Sequence, residues 1–567
     1  MERTPRPYSS SDSRGRSESP PPSYRSNEQS PLLGHRDKPE STSVRIAEAI
    51  CQCFLTLLML AVIPGICLLV WYLYKLGSTS RPPFAAPPYN PHPPPLLNYS
   101  VAIIGAGPAG ISAAQHLRRR TAAGNIHLNI ALFESAPVIG GQLALSDSAG
   151  GPLFLRDDHT LDPITAEDIA GAALLHCNPL FTKTSEEILG DQVEFFELPS
   201  QQVGYFSNDH IVSQTTRPYS KTSFTSMLSL WWKYGSSVWR AGAMIEEGDL
   251  RNRLANPPLD PDLTQLMTSL DIIGSVQELA QDALDSRGIS DSYVTEILGP
   301  QVERAHLQRI AKPDLSALAI ILAAFQEDCA NSYLGGELID RLEQIVAATG
   351  ATVRASTKVS NVKHEQINEK ESAWLVEYDG VDSSGPRTET FDKVIIAAPT
   401  FDLYQAASAE DVEAASILAY RPAHVTFFTA LERLDPKKYG DVGQILFLEQ
   451  QNGWNPPRGI RELALVREIV RVGEDDSRII EYLYRAISDS DPTEHLQRLN
   501  VEITWLHQAR LENAYPYVYP FRKFPPFKLS EQGLWWTSAV HTIASTVDMS
   551  WLAGKIVAEE LIKDVTK

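Results

Sequence analysis

The residues with the clearest chemical meaning begin at Val101. Val101-Ala102-Ile103-Ile104 is a short apolar run, and Gly105-Ala106-Gly107-Pro108-Ala109-Gly110 follows it as a G-x-G-x-x-G turn opening a small-residue helix. In this pattern the first glycine allows the tight turn, and the second admits a pyrophosphate to free N–H groups at the helix N-terminus. The third lets helix and strand pack closely. An ordinary glycine-rich turn shares the pattern, so context decides. A second apolar run, Ile130 to Phe133, ends in Glu134, 24 residues past Gly110 and suited to hold a ribose 2′-hydroxyl. These features predict a dinucleotide site.

No second G-x-G-x-x-G follows and no C-x-x-C is present, so a separate NADPH domain and a dithiol relay both lack support. There is also no H-E-x-x-H, G-x-S-x-G or Cys/His metal spacing, which removes zinc and serine-hydrolase mechanisms. A formal charge of −20 without a basic stripe argues against nucleic-acid binding. With 567 residues, 43% of them hydrophobic, and five cysteines, the chain is too long for one core and is not a disulfide scaffold. Two or more lobes are expected.

The elements that must carry the site begin after a very different stretch of chain. Residues 1–48 are rich in Ser, Pro and Arg and hold eight basic against seven acidic residues, so the remainder carries −21. Such a tail cannot bury enough apolar surface to offset the entropy of ordering, and disorder is predicted. Residues 49–74 form a 26-residue run without a charge, long enough for a membrane helix over 49–75. Its length and position argue against a cleaved signal peptide. Basic residues Arg36, Lys38 and Arg45 precede it and Lys75 and Arg81 follow it, which favours a cytosolic N-terminus. Cys51 and Cys53 at its edge are candidates for palmitoylation or for plain burial. Residues 76–98 read as a spacer, with eight prolines between Gly77 and Leu97. The sequon at Asn98 is a candidate glycosylation site if this side is lumenal.

Two tail patterns gain meaning under that topology. Glu28-Gln29-Ser30-Pro31-Leu32-Leu33 resembles an acidic dileucine signal read by adaptor complexes that deliver proteins to lysosomes or vacuoles. Pro21-Pro22-Ser23-Tyr24 resembles the PPxY ligand of WW domains.

Gly140-Gly141, six residues after Glu134, resembles the glycine pair of flavin oxidases of the amine-oxidase superfamily, where Arg usually follows and this chain has Gln142. Leu334-Gly335-Gly336-Glu337-Leu338, the run Thr352 to Ala355 with Lys358-Val359, and Val394 to Pro399 fit the same pattern. Within that group the chain resembles the prenylcysteine oxidase, or prenylcysteine lyase, family over about Ser100 to Val565. Leu230-Trp231-Trp232-Lys233-Tyr234-Gly235, Ile297 to Arg304, Ala514-Tyr515-Pro516-Tyr517 and Ala544-Ser545-Thr546-Val547-Asp548-Met549-Ser550 carry the resemblance.

The resemblance implies an α/β fold: a Rossmann-type FAD-binding domain over 99–200, 335–405 and 530–567, with an interleaved α+β substrate (cap) domain over 201–334 and 406–529. It assigns Gly105, Gly107, Gly110, Glu134, Gly140, Gly141, Gln142, Val359, Asp548 and Met549 to FAD, and Trp231, Trp232, Tyr515 and Tyr517 to an apolar substrate pocket. His176 is the candidate catalytic residue, within His176-Cys177-Asn178-Pro179 where the family has His-Pro-x-Asn. The run Leu315 to Phe325 is too short to span a membrane and reads as a buried core helix. Cys177 and Cys329 are paired or free. The implied chemistry is thioether oxidation. A hydride leaves the prenyl carbon bonded to sulfur for the flavin, water adds, and the hemithioacetal collapses to cysteine and a prenyl aldehyde. Oxygen takes the electrons and forms hydrogen peroxide. Position and desolvation matter more here than a strong base. Departures at Gln142, Ile169 and His541 keep a related FAD-dependent amine oxidase open as an alternative, as they do a catalytically silent flavoprotein-like membrane protein. The expected location is a single-pass membrane protein with its body in a lysosomal or vacuolar lumen.

Overall fold

A computed structural model describes residues 97–122, 124–144, 164, 178–217, 222–247, 250–310, 314–329, 332–334, 338–367, 372–379, 385–401, 413, 416–448, 459–472 and 477–567. The predicted tail, the predicted membrane span and the adaptor and WW patterns lie outside these residues, as do His176, Cys177, Ile169 and Gly335-Gly336. No described helix is long and apolar enough to cross a membrane. The chain divides at Pro93/Pro94 into two units, of which the second is the body described here.

Apolar strands alternating with helices open the body: β1 (Leu97–Ile104), α1 (Pro108–Thr121), β2 (Ile126–Phe133) and α2 (Pro179–Leu189). A hairpin, β3 (Gln202–Ser207) and β4 (His210–Thr216), leads to helices α3 (Phe224–Tyr234), α4 (Ser237–Glu247), α5 (Gly299–His306) and α6 (Ala317–Cys329). Then come α7 (Leu338–Thr349), β5 (Thr352–Arg354), β6 (Val359–Gln366), β7 (Ser372–Asp379), β8 (Pro386–Phe391) and β9 (Lys393–Ile396). The long strands β10 (Tyr420–Ala430), β11 (Gln444–Phe447), β12 (Ile460–Val472), β13 (Arg478–Ser488) and β14 (Ile503–Pro516) follow. β15 (Lys528–Ser530), β16 (Leu534–Trp536) and α8 (Val547–Thr566) close the chain.

These elements build two main sheets. The first has the order β15-β16-β9-β1-β2-β5 and is parallel except at the β15–β16 edge. Its central strands carry uninterrupted apolar runs because both faces are covered; Val101, Ala102, Ile103, Val394, Ile395 and Ile396 are fully buried. β1 begins at Leu97, two residues before the predicted start of the domain at 99. Leu97 and Asn98 pair with Ile126 and His127 in the β1–β2 ladder, so the end of the predicted spacer belongs to the sheet. The second sheet has the order β14-β10-β13-β12-β11-β3-β4, antiparallel except between β11 and β3. The predicted core helix over Leu315 to Phe325 is found as α6, with Leu315 and residues 317–325 buried. Charges buried nearby are matched: Arg217 and Arg304 both meet Glu327, the latter at 2.6 Å, and Arg485 donates to Glu462 at 2.8 Å. Removing one partner from such a set would leave a buried charge uncompensated.

The first sheet is closed on one face by α1 against α8. Ser112 Oγ donates to the Trp551 carbonyl at 2.6 Å, and a Cβ on Gly554 would lie 2.2 Å from the Ala109 carbonyl oxygen. The helices therefore touch backbone to backbone. Gly554→Val should lower stability by about 1–3 kcal/mol through overpacking, read as a fall in melting temperature. An unchanged melting temperature would show that the helices are farther apart than described.

Candidate functional site

Gly105 takes φ +106°, a left-handed conformation that side chains rarely adopt, and donates its N–H to the Phe133 carbonyl at 2.8 Å. This ties the end of β1 to the end of β2. Gly110 stands directly over it: a Cβ there would lie 2.0 Å from the Gly105 carbonyl oxygen. Gly107 differs. Its φ of −79° is ordinary, it begins α1 with no side-chain cap, and a Cβ on it would meet only the Gly141 Cα, at 3.7 Å. The glycine pair packs on the turn itself, with the Gly140 N–H donating to the Ala106 carbonyl at 2.8 Å.

Glu134 directly follows β2 and is buried, and both its carboxylate oxygens are held by the loop. Oε2 accepts the Ala106 N–H at 2.9 Å, while Oε1 accepts the Ala136 N–H at 2.9 Å and the Ser135 hydroxyl at 3.2 Å. A carboxylate has about four acceptor positions, so capacity for a sugar hydroxyl remains. Glu134 thus orders the turn as well as facing the cleft.

Gly105, Gly107, Glu134, Gly141, Gln142 and Val359 line one cleft of about 470 Å³. The cap sheet enters the same cleft through Tyr420 at the start of β10 and through Arg510 to Ala514 and Pro516 on β14. The uncapped N-terminus of α1, the glycine surface beside it and the Glu134 carboxylate fit the pyrophosphate and ribose of FAD. Ser545, Val547 and Ser550, at the start of α8, line the cleft as well.

Two of the sequence departures have partners here. Gln142 donates its side-chain amide to the Asn513 carbonyl, and the Asn513 amide donates to Thr400 Oγ1 at 3.0 Å. A neutral clasp therefore joins the loop after the glycine pair to β14. His541 lines the cleft and shares a 2.8 Å hydrogen bond through Nδ1 with the Tyr420 hydroxyl. Burial pushes the His541 pKa down to about 4 and raises that of Tyr420, so the pair is neutral across the physiological range. Tyr420 and Asn513 carry no sequence signal; each enters the site only because its strand ends there.

Other expected residues lie elsewhere. Asp548 does not line the cleft. It is buried, accepts the N–H groups of Leu180 at 2.9 Å and Phe181 at 2.8 Å, and donates its own N–H to Asn178 Oδ1 at 3.0 Å. It is the inter-helix cap of α2, joining the first turns of α2 and α8. Met549 is buried on the same side, its N–H held by the N-cap Thr546 at 3.2 Å. Trp231 and Trp232 sit exposed on α3 and are not among the cleft-lining residues. On β14 successive side chains point to opposite faces: Ala514 and Pro516 line the cleft, while Tyr515 packs beside Arg304 and Glu462. Tyr517 stacks on Tyr519 at 5.6 Å and lies under Arg421. Asn98 is exposed on β1.

Fold and site together define a two-lobed, Rossmann-type dinucleotide-binding protein. Among solved structures, a putrescine oxidase redesigned in its cofactor binding has a similar fold, with 16% identity, a TM-score of 0.50 and coverage of 83% of this chain and 100% of that one. Cyclohexylamine oxidase from Brevibacterium oxydans IH-35A is similar at 13% identity and a TM-score of 0.51, with the same coverage. No curated protein sequence matches the chain. Residues 103–162 match the NAD(P)-binding Rossmann-like domain, and residues 218–567 match the Prenylcysteine lyase family. The chain belongs to the Prenylcysteine lyase family.

Because Gly107 has an ordinary φ and room for a Cβ, Gly107→Val should fold normally yet lose the dinucleotide, its methyls filling the pyrophosphate approach. Stoichiometric flavin in the purified variant would contradict this. Asp548 predicts a pH effect. Burial pushes its carboxyl up to about 7 against the pull of two N–H donors, above the unfolded value of about 3.9. Between those values the folded state holds a proton that the unfolded state has released, so this contribution to stability is lost as pH rises toward 7. Asp548→Asn should cost about 1–3 kcal/mol, since its amide NH₂ meets one of the two donors. It should also flatten the fall in melting temperature between acidic and neutral pH. Parallel pH profiles for variant and wild type would refute the assignment.

Proposed function

We propose that this chain is an FAD-dependent oxidase that cleaves the thioether of prenylcysteine to cysteine, a prenyl aldehyde and hydrogen peroxide. The observation that carries the reading is one cleft in which the dinucleotide turn meets cap strands from the family-matched part of the chain. Bound FAD supplies an acceptor for a hydride, with oxygen as the final oxidant.

The chain's own residues supply position and charge. The turn from Gly105 to Gly110 and Glu134 hold the dinucleotide, and the clasp of Gln142 on Asn513 sets the cap against it. Loss of hydride from the carbon bonded to sulfur leaves positive charge there. His541, kept neutral by burial and held by Tyr420, adds no cation to oppose it. Water then adds to that carbon, and the hemithioacetal breaks its carbon–sulfur bond to release the thiol. We further place the protein as a single-pass membrane protein with a cytosolic tail, its body in a lysosomal or vacuolar lumen. The adaptor- and WW-type patterns of the tail support that placement, under which Asn98 would be a candidate for glycosylation.

The purified full-length protein should show flavin absorption and, in air, convert farnesylcysteine to a prenyl aldehyde with equimolar hydrogen peroxide. Putrescine and cyclohexylamine should be inert in the same assay. Oxidation of the amines without the thioether would replace the substrate reading, and absence of flavin would overturn the enzyme reading altogether.

A further inference from the structure

Ten large apolar side chains are exposed among the described residues, and five of them lie on the α3–α4 hairpin: Phe224, Leu228, Trp231, Trp232 and Trp239. Phe224 is 81% exposed and Trp232 84%. Phe224, Leu228, Trp231 and Trp232 fall at i, i+4, i+7 and i+8, which is one face of a helix. The opposite face is already satisfied, since Leu230 and Tyr234 are buried in the core of the cap. α3 therefore has two apolar faces, and the fold uses only one.

The second face is held rigidly. Ser223 caps α3 by accepting the Ser226 N–H at 3.2 Å, and Gly235 turns the chain toward α4 with φ +61°. Tyr234 and Lys233 both bond Glu296, and Trp231 lies 6.2 Å from Trp239 between ring centroids. From Thr222 to Ile245 the hairpin holds two cations, Lys233 and Arg240, and no acid, in a chain of net charge −20.

We propose that the α3–α4 hairpin is a membrane-docking surface whose aromatic stripe enters the headgroup layer of a phospholipid bilayer. Three points on this molecule favour lipid over another occupant. Tryptophan and phenylalanine suit the boundary between headgroups and acyl chains. The aromatic stripe itself carries no acid to be repelled by phosphate, the two acids of the hairpin, Glu246 and Glu247, standing at the far end of α4. The chain preceding Leu97 contains the uncharged run 49–74, and the 21 residues from Gly77 to Leu97 reach about 65 Å when extended. On the membrane placement proposed above, on which this point rests, a body on such a tether would stay within reach of the bilayer. The inference is independent of which substrate the cleft takes.

Tryptophan fluorescence of the full-length protein in phosphatidylcholine nanodiscs, with and without brominated acyl chains, tests this. Phe224→Asp with Leu228→Asp keeps every tryptophan and alters only exposed positions. Quenching by brominated lipid is expected in the wild type and should fall about twofold in the double variant, with melting temperature unchanged. Trp71, inside the predicted span, contributes equally to both. Trp232→Phe, a milder change, should likewise remove a quenched component. Equal quenching in all three proteins would overturn the proposal. So would a wild-type dimer that the double variant dissolves with no change in quenching, because the stripe would then bind a second copy.

Discussion

The structure depends on one close approach of backbone to backbone at the end of β1. Gly110 stands over the Gly105 carbonyl with no room for a side chain, and on the far side of α1 Gly554 stands equally close to the Ala109 carbonyl. The first contact sets α1 at the angle that points its uncapped N-terminus into the cleft. The second brings α8 in from the other end of the chain, so that Ser112 bonds a carbonyl 439 residues away. Van der Waals contact at this distance tolerates no added methyl, so the turn, the helix and the C-terminal segment are placed together or not at all.

From that junction the rest of the site follows by extension. Glu134 holds the turn from the neighbouring strand, and the start of α8 delivers Ser545, Val547 and Ser550 to the cleft. Asp548, one residue from the cleft-lining Val547, turns inward instead and receives two N–H groups from α2. A single carboxyl thus satisfies donors that α2 cannot satisfy by itself, because the first N–H groups of any helix lack an intrahelical partner. The cap is joined to this frame by a shared apolar cluster, in which Leu250, Leu266 and Leu322 belong with Leu180, Phe181 and Leu342, and by polar contacts, among them Gln142 with Asn513, Tyr420 with His541 and Lys183 with Asn256. Gln142 with Asn513 and Tyr420 with His541 place no charge at the contact, so neither carries the desolvation cost of an ion.

Much of this was legible in the residues alone. The runs Val101 to Ile104 and Val394 to Ile396 identify themselves as central parallel strands because only a sheet covered on both faces tolerates unbroken apolar sequence. Gly105, Gly107 and Gly110 declare their role by spacing. Gln142 and His541 were visible only as departures from a family pattern, and their partners are what give those departures physical content. The aromatic residues were the least legible. Trp231 and Trp232 are the residue types an apolar pocket would want, yet they face outward. Tyr515 occupies the strand face opposite its neighbours Ala514 and Pro516, and a shift of one residue along a strand reverses which side is wetted.

Sequence by itself determined the local elements and their chemical grammar: the nucleotide turn, the parallel strands, the buried helix over Leu315 to Phe325 and membership in a family. Those features are written in spacing and composition, which act over a few residues. Only the tertiary structure decided that Tyr420, Asn513 and His541 share a cleft with Glu134, that Asp548 serves two helix ends, and that the tryptophans of α3 look away from the site. Such facts depend on which face of a strand or helix is covered by elements hundreds of residues distant. Burial of that kind is a property of the packed assembly and of no single segment.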